Sequence, residues 1–367
     1  MMYGRLISAH SWPIAITLAF TLLVLPGLAF ARANAGGGFY QRTNLVSNLP
    51  GMAKFTDPNL TNPWGISSAP GGPFWVSDNG SGLSTLYDNK GSPQSLAVTI
   101  PAPTRGTTGT PTGTVFNSDI HAFIVSKKGV SGASLFLFAT QDGTISGWSP
   151  SVDLTHAILE VDRSSSGAVY KGLAIGSNSS GIFLYATNFH AGTIDVFDKK
   201  FAPARLSGSF TDPYLPTGYA PFGINTISGK LYVTYAKQNA QKNGDVPGLG
   251  RGFVDVFDTN GHFIKRLVTQ GQLDAPWGLA LAGSSFGIFS HDLLVGNFGN
   301  GHINAFNPST GAFLGHLSDQ NGHPIIIDGL WALLFGLGGQ AGKANQLFFT
   351  AGLHQEADGL FGVIQAV

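Results

Sequence analysis

Short loops that carry Asp, Asn or His recur along the chain and offer oxygen and nitrogen atoms to a ligand. They are Asp78-Asn79-Gly80, Gln141-Asp142-Gly143, Asn188-Phe189-His190, Asn297-Phe298-Gly299-Asn300 and His354-Gln355-Glu356. Ca²⁺ prefers carboxylate and amide oxygens, which makes Asp78, Asn188 and Asn297 candidate calcium ligands. No single loop has the Asp-x-Asp-x-Asp-Gly spacing of a self-contained calcium loop, so such a site would combine several loops. The alternative is that these side chains only bond their own backbone in turns.

Histidines in or beside the same loops could bind a transition metal. The four candidates are His121, His190, His302 and His354. Imidazole nitrogens are common ligands of such metals. The four histidines are too widely separated in the sequence to form a ligand motif, so this prediction depends on the fold bringing them together.

Several other kinds of chemistry are excluded. The chain has no cysteine, which rules out disulfides, thiolate catalysis and cysteine-bound zinc. It also has no His-Glu-x-x-His motif, phosphate loop or dinucleotide fingerprint. The net charge is zero and no basic run exceeds two residues, so we expect neither nucleic acid nor an anionic membrane as a partner. Whether the protein is an enzyme stays open.

Composition predicts that many short strands position these loops. Charged residues make up 11% of the chain, against about 25% in typical globular proteins. Glycine accounts for 51 of the 367 residues, and glutamate, a strong helix former, occurs only as Glu160 and Glu356. Such a composition is typical of strands separated by turns.

A repeat of about 53 residues orders the strands along the chain. Each copy consists of four short apolar runs bounded by Gly, Pro, Asn or Asp, the pattern of strands and turns. The copies begin near residues 62, 119, 170, 219, 274 and 328. The third run is the sharpest match, because residues 83–88, 193–198, 253–258 and 302–307 alternate apolar positions and end on Asp or Asn.

Six copies of this length predict an all-β, six-bladed β-propeller of four-stranded blades over residues 36–367. The sixth copy lacks a fourth strand. Residues 39–46 (FYQRTNLV) precede the first copy and belong to no other blade. We predict that this N-terminal strand closes the last blade, which would remove the open edges of the ring.

In a propeller, the start of each inner strand and the loop between the second and third strands open on one face, here called the ligand face. Pro63-Trp64-Gly65 and Pro276-Trp277-Gly278 lie at such starts, where Phe222, Trp331, Lys171 and His121 occupy the equivalent position in the other blades. We interpret the aromatic residue as a wedge between adjacent blades, and the glycine as allowing close backbone approach. The ligand-face candidates are Asn62, Asp78, His121, Asp142, Lys171, Asn188, His190, Lys237, Asp245, Asn297, His302 and His354.

Two stretches interrupt the repeat. Residues 101–118 are rich in Thr, Gly and Pro and are expected to link the first two blades. Residues 236–252 are inserted between the second and third strands of the fourth blade and should overhang the ligand face. We predict that this insertion is a lid or specificity loop that presents Lys237, Gln238, Asn243 and Asp245, with a flexible surface loop as the alternative.

The N-terminus has the pattern of a secretory signal peptide. Arg5 precedes an apolar run over residues 12–30, and small residues then allow cleavage after Ala31 or Ala35. An uncleaved membrane anchor is the alternative. We assign residues 1–35 to the signal peptide and expect a secreted protein, either extracellular or periplasmic, with no membrane span left after cleavage.

Four segments resemble a family of uncharacterised secreted bacterial proteins, some with a C-terminal PEP-CTERM sorting tail. They are NLVSNLPGMAKFTDPNLTNPWGI, PTGTVFN, YAKQNAQKNGDVPGLGRGFVDVFD and DAPWGLA. The resemblance implies an exported propeller of unknown function. The chain ends at GVIQAV without a Pro-Glu-Pro motif, so we do not expect sorting by that tail.

More distantly, the blades resemble NHL-repeat propellers and the gluconolactonase-like, calcium-dependent phosphotriesterase superfamily. Those enzymes hold Ca²⁺ at the channel mouth with an early Glu and later Asn and Asp residues. The early position here reads Thr61-Asn62-Pro63-Trp64 and supplies no Glu. We therefore predict a binding module for a small molecule, a glycan or a surface protein, with a calcium- or other metal-dependent hydrolase of lactones or phosphoesters as the alternative.

Overall fold

The computed structural model describes residues 1, 2, 4 and 38–367. Residues 38–367 form six sheets of three to five strands and one separate hairpin. The inner strands of the six sheets contact one another in sequence order, and the last contacts the first, so the sheets form a closed ring. The predicted six-bladed β-propeller is confirmed. The signal peptide predicted over residues 1–35 lies outside the described residues, apart from residues 1, 2 and 4.

The strands of the N-terminus and of the first three blades are as follows. Before blade one come β1 (Tyr40–Ser47) and β2 (Phe55–Thr56). Blade one consists of β3 (Pro63–Ser68), β4 (Phe74–Asp78), β5 (Leu83–Tyr87) and β6 (Pro93–Thr99). Blade two consists of β7 (Pro111–Phe116), β10 (Phe136–Thr140), β11 (Thr144–Trp148) and β12 (Ile158–Asp162), with the hairpin β8 (Ile124–Lys127) and β9 (Val130–Ala133) inserted. Blade three consists of β13 (Tyr170–Asn178), β14 (Gly181–Asn188) and β15 (Thr193–Asp198).

The last three blades follow the same plan. Blade four consists of β16 (Tyr219–Ile227), β17 (Lys230–Lys237), β18 (Gly252–Asp258) and β19 (Phe263–Thr269). Blade five consists of β20 (Pro276–Leu281), β21 (Leu293–Asn297), β22 (Ile303–Phe306) and β23 (Phe313–His316). Blade six contains β24 (Leu330–Phe335), β25 (Gln346–Gly352) and β26 (Asp358–Ala366).

Helical structure within residues 38–367 is limited to single turns. There are three 3₁₀ turns, at Ser164–Ser166, Gly287–Phe289 and Gly339–Ala341, and one short helical turn, α1, at Leu353–Glu356. In the described part of the chain, no helix has the length and apolar character needed to span a membrane.

Asp or Asn at the end of the third strand forms the turn that leads to the fourth. The carboxylate of Asp88 accepts the backbone N–H groups of Lys90 and Ser92, at 2.8 Å each. Asp258 accepts those of Asn260 and His262 in the same way, at 2.9 Å each. These side chains replace backbone hydrogen bonds in a tight turn, which explains why the repeat ends on Asp or Asn.

The N-terminal strand closes the ring as predicted. β1 pairs antiparallel with β26, from Tyr40 opposite Ala366 to Ser47 opposite Leu360. It is therefore the fourth strand of blade six, whose sheet runs in the order β2-β1-β26-β25-β24. The side chains of Tyr40, Leu45 and Val46 are buried in the core.

Blade two begins earlier than the sequence repeat suggested. Its inner strand is β7, inside the Thr- and Gly-rich stretch that was expected to be a linker. The predicted first strand, residues 121–125, instead leads into the β8–β9 hairpin. The prediction was wrong because Pro111-Thr112-Gly113 carries Thr at the aromatic position and hides the motif. His121 is consequently exposed and far from the start of an inner strand in the sequence.

Blade three lacks the fourth strand that the four-run repeat predicts, which would fall at residues 204–210. Beyond β15 the chain makes only a single bridge, between Phe197 and Pro203. The N–H groups of Asp198 and Ala204 form this bridge by donating to the carbonyl oxygens of Ala202 and Val196, at 2.8 Å each. The segment then packs on the neighbouring blade, where Gly208 donates its N–H to the carbonyl oxygen of Asn260 at 2.8 Å.

Candidate functional site

Five of the six inner strands start with a glycine that approaches the backbone of the next blade, and blade six has Ala332 at this position. The motifs are Pro63-Trp64-Gly65, Pro111-Thr112-Gly113, Tyr170-Lys171-Gly172, Pro221-Phe222-Gly223, Pro276-Trp277-Gly278 and Leu330-Trp331-Ala332. A Cβ atom on Gly65 would lie 2.3 Å from the carbonyl oxygen of Thr112, and one on Gly223 would lie 2.1 Å from that of Trp277. Glycine is needed because neighbouring blades approach backbone to backbone here. The glycine of the repeated motif thus serves the packing of the ring, as interpreted.

The aromatic residues of these motifs meet at the axis of the ring. With Phe298 from the β21–β22 loop they form the aromatic cluster: Trp64, Phe222, Trp277, Phe298 and Trp331. Trp331 is central, with its ring centroid 3.5 Å from that of Trp64 and 4.1 Å from that of Phe298. Trp64 also meets Trp277, which belongs to a non-adjacent blade, at 6.4 Å. The rings therefore pack on one another across the axis, which corrects the expectation of wedges between adjacent blades.

Lys171 is the counterpart of these aromatic residues in blade three. Its side chain is buried, with 3% of the residue exposed. The Nζ atom lies 4.9 Å from the ring centroid of Trp64 and 5.9 Å from that of Phe189. A cation over an aromatic face is stabilised by the quadrupole of the ring. Burial lowers the pKa of Lys171 to about 8, although the negative charges of Asp245 and Glu356 favour the protonated form.

Asn62 connects the aromatic cluster to a carboxylate. Its Oδ1 accepts the indole N–H of Trp331 at 3.2 Å, and its Nδ2 donates to Glu356 Oε2 at 2.7 Å. Glu356 lies in α1, where three consecutive residues have positive φ angles of 52°, 58° and 70°. Left-handed backbone is costly for residues other than glycine and persists where the surroundings hold it. The turn brings the carboxylate of Glu356 to Asn62.

The blade-four insertion lies against the loops of blades three and five. Gln238 Nε2 donates to the carbonyl oxygen of Phe189 at 2.5 Å, and the N–H of Gly248 donates to Asp274 Oδ1 at 2.6 Å. The insertion carries Asp245, whose Oδ2 is buried without a hydrogen-bond partner among the described residues. Burial raises the pKa of Asp245 to about 6, against the opposing effect of Lys171.

Asn62, Lys171, Asp245 and Glu356, together with the aromatic cluster, are called the mouth site below. Burial disfavours the charged form of both Lys171 and Asp245, and the charge of each favours the charged form of the other. The Nε1 atom of Trp64 is a second buried group without a partner among residues 38–367. The site thus combines aromatic faces with hydrogen-bond donors and acceptors that the protein itself leaves unused, an arrangement suited to a polar ligand.

The three predicted calcium ligands lie in three different blades, each bonded locally. Asp78 Oδ2 accepts the hydroxyl of Thr85 at 2.7 Å, and burial raises its pKa well above the usual range. Asn188 Nδ2 donates to Asp195 Oδ2 at 3.1 Å, and Asn297 Nδ2 donates to the carbonyl oxygen of Gln272 at 2.8 Å. Within the described residues, no group of three or more His, Asp or Glu side chains is placed to hold a metal ion.

The remaining predicted residues have partners of their own or are at least partly exposed. Asp142 Oδ2 accepts the backbone N–H and the hydroxyl of Thr110, at 2.7 and 2.9 Å. His354 Nδ1 lies 2.9 Å from Asp358 Oδ2 on the surface. His190 is half-buried and Lys237 is exposed at the end of β17.

The four candidate histidines belong to four different blades. His302 packs against His316 of its own blade, with 4.7 Å between ring centroids. His121, His190 and His354 lie in blades two, three and six. Of the predicted ligand-face residues, the fold brings together Asn62, Lys171 and Asp245.

Sequence reasoning missed the coupling of Asn62 to Trp331 and Glu356. The one sequence feature that could have drawn attention to Glu356 is the rarity of glutamate, because the chain has only two. Nothing in the spacing indicates a contact between residues 294 positions apart.

We expect the wild-type protein to gain stability relative to a Lys171→Met variant as the pH rises from about 8 to about 10.5, the folded and ordinary pKa values of Lys171. Between these values the unfolded chain binds one more proton than the folded one, so the free energy of unfolding increases with pH, by up to about 3 kcal/mol. Below pH 8 the full cost of burying the charge applies. Urea unfolding of both proteins from pH 7 to 10.5 measures the difference.

Lys237→Met is the matched control for that series, because Lys237 is exposed on the same face. Its stability should follow that of the wild type at every pH. A constant difference between wild type and Lys171→Met across the series would contradict a buried, titrating ammonium.

The fold and the mouth site together define a six-bladed β-propeller whose channel is closed at one end by aromatic side chains. No family model matches the chain. An uncharacterized protein of Acanthamoeba polyphaga mimivirus is 33% identical over 331 residues, which cover 87% of this chain and 78% of the relative. A second uncharacterized protein of that virus is 32% identical over 329 residues, 87% of this chain and 83% of the relative. The chain belongs to the family of these two proteins.

These relatives are viral and give no support to the expected bacterial family with PEP-CTERM tails. Among solved structures, a glucose dehydrogenase is similar with a TM-score of 0.51 and 12% identity, covering 89% of this chain and 100% of that one. Aldose sugar dehydrogenase from Streptomyces coelicolor has a TM-score of 0.50 and 12% identity, covering 90% and 99%. Virginiamycin B lyase from Staphylococcus aureus has a TM-score of 0.46 and 15% identity, covering 89% and 99%. At these identities the likeness concerns the fold alone.

Proposed function

We propose that this protein is a binding propeller whose mouth site holds a hydroxylated ligand such as a glycan. The observation that carries the proposal is the set of buried groups without hydrogen bonds beside aromatic rings: Asp245 Oδ2 and Trp64 Nε1, with the Lys171 ammonium over Trp64. A hydroxyl group both donates and accepts, so a polyol satisfies an unpaired acceptor and unpaired donors together. A charged ligand fits less well, because the site already contains the electrostatically coupled groups Lys171, Asp245 and Glu356.

In this proposal the blade-four insertion is the lid of the mouth site. Lys171 is only 3% exposed, so a ligand reaches it only when the insertion moves. The insertion has an exposed tip at residues 240–243, and its bonds to the body lie towards its two ends, as from Gln238 to Phe189 and from Gly250 to Leu273. Loops that close over ligands are commonly of this kind.

The test is binding of residues 36–367 to a panel of immobilised oligosaccharides, followed by calorimetry with the strongest binder. Asp245→Asn and Lys171→Met should each weaken binding by at least about tenfold, because each removes a charged hydrogen-bonding group from a desolvated site. Lys237→Met, exposed on the same face, should bind like the wild type. Absence of glycan binding by the wild type, or equal affinity in all three variants, would overturn the proposal.

The competing function is a calcium- or other metal-dependent hydrolase. One observation favours it: Asp78 Oδ1 and Asn297 Oδ1 are buried oxygens without partners in the described range. Against it, the Lys171 ammonium at the mouth repels a divalent cation. Elemental analysis and Ca²⁺ calorimetry separate the two functions, since stoichiometric metal that is lost in Asn297→Ala would support the hydrolase.

Export belongs to the same proposal. The apolar run over residues 12–30 and the small residues after it support a cleaved leader. N-terminal sequencing of protein recovered from the medium or periplasm should begin after Ala31 or Ala35.

A further inference from the structure

The central channel contains a cavity that adjoins the aromatic cluster. It has a volume of about 360 Å³. Its lining runs from Gly65 and from Trp277, a member of the aromatic cluster, to Leu337 beyond the end of β24. The aromatic cluster closes the channel at the mouth, so the cavity opens on the opposite face. Its size lies within the range of small-molecule sites, and a blind end encloses most of a bound molecule.

No charged side chain lines this cavity. Apolar residues such as Ile175, Leu279 and Leu333 come from three different inner strands. An ionised ligand would lose its hydration there without meeting an opposite charge, which is costly. The lining therefore selects an uncharged molecule with a large apolar surface.

The polar groups of the lining mostly bond to the protein. Thr226 Oγ1 donates to the carbonyl oxygen of Ile175 at 2.8 Å, and the hydroxyls of Ser67 and Thr114 lie 3.2 Å apart. Asn225 Nδ2 donates to the carbonyl oxygen of Leu279 at 2.9 Å. That bond fixes the amide and leaves its Oδ1 as an acceptor for a hydroxyl donor.

We propose that the channel binds an uncharged, largely apolar alcohol or phenol whose hydroxyl donates to Asn225 Oδ1. The site shares Trp277 with the mouth site, but the cavity lining includes none of Asn62, Lys171, Asp245 and Glu356. Leu337, 45% exposed at the open end, provides an apolar rim for the part of the ligand that protrudes.

The experiment is calorimetric titration of residues 36–367 with 2-naphthol and with its anionic analogue naphthalene-2-sulfonate at neutral pH. We expect one molecule of 2-naphthol to bind per chain, and the sulfonate to bind at least about a hundredfold more weakly, since its charge has no partner. No binding of 2-naphthol, or equal affinity for the two compounds, would overturn the proposal.

Variants locate the bound molecule. Asn225→Leu should weaken 2-naphthol binding by about tenfold and leave naphthalene binding unchanged, because the hydroxyl bond is the one contact that distinguishes the two ligands. Ser67→Phe should fill the channel and abolish binding of both. Val115→Phe, at a half-buried position of the lining, serves the same purpose if Ser67→Phe does not fold, as judged by circular dichroism.

Variants of the mouth site separate this proposal from the glycan proposal. Lys171→Met and Asp245→Asn should leave 2-naphthol affinity unchanged, whatever their effect on glycan binding. If these two variants abolish 2-naphthol binding while Ser67→Phe and Val115→Phe do not, the phenol binds at the mouth site and the channel site is refuted.

Discussion

Deletion of residues 39–48 should leave the protein without a cooperatively folded ring. The deletion removes β1, whose seven paired positions with β26 complete blade six. It also exposes the cavity left by Tyr40, Leu45 and Val46, which are 2%, 4% and 0% exposed. Burial of three such side chains contributes roughly 6 kcal/mol or more, a large part of the 5–15 kcal/mol by which domains are typically stable. Thermal unfolding followed by circular dichroism measures the loss.

The matched control is removal of residues 126–131, the tip of the β8–β9 hairpin. That hairpin is also β-structure, but its tip is exposed and outside the ring. We expect its deletion to change the melting temperature by no more than a few degrees, since few buried contacts are lost. If the two deletions had similar effects, N-terminal closure would not be what holds the ring together.

The sequence repeat predicted the blades well where the residues of the local motif are also the ones that the contact between blades requires. The inner strands of blades one, four and five start within two residues of their predicted positions, because each requires Pro and Gly at the contact between blades. Blade two was misplaced because Thr112 satisfies the same backbone contact without an aromatic ring. Its hydroxyl instead donates to the carbonyl oxygen of Tyr170 in the next blade, at 2.9 Å. A polar residue can thus replace an apolar one at this position, and hydrophobic periodicity does not detect it.

The mouth site was predictable only in part. Position in the repeat identified Asn62 and Lys171, and the length of the insertion identified Asp245. The role of Glu356 depends on the left-handed turn at His354, Gln355 and Glu356, a conformation that these residue types rarely adopt. It also depends on ring closure, which brings blade six beside the start of blade one. Neither feature leaves a local pattern in the sequence.

Gly223→Ala should destabilise the protein by about 3 kcal/mol or more, although it adds a single methyl group. The new Cβ would lie 2.1 Å from the carbonyl oxygen of Trp277, a backbone atom of the next blade that cannot rotate away. The backbone of Gly223 is also held in place, because its N–H donates to Thr234 Oγ1 at 2.8 Å. Relief of the clash must separate β16 from β20. Urea unfolding monitored by tryptophan fluorescence gives the change in stability.

Gly283→Ala is the control for that substitution, because its Cβ would have no neighbour nearer than 4.0 Å. Its stability should be within about 0.5 kcal/mol of the wild type or slightly above it, since alanine restricts the unfolded chain. A Gly223→Ala protein as stable as Gly283→Ala would mean that the blades can move apart without cost. The repeated glycine would then need an explanation other than close packing. Because Trp277 also belongs to the aromatic cluster, we further expect Gly223→Ala to weaken ligand binding at the mouth site, whereas Gly283→Ala should not.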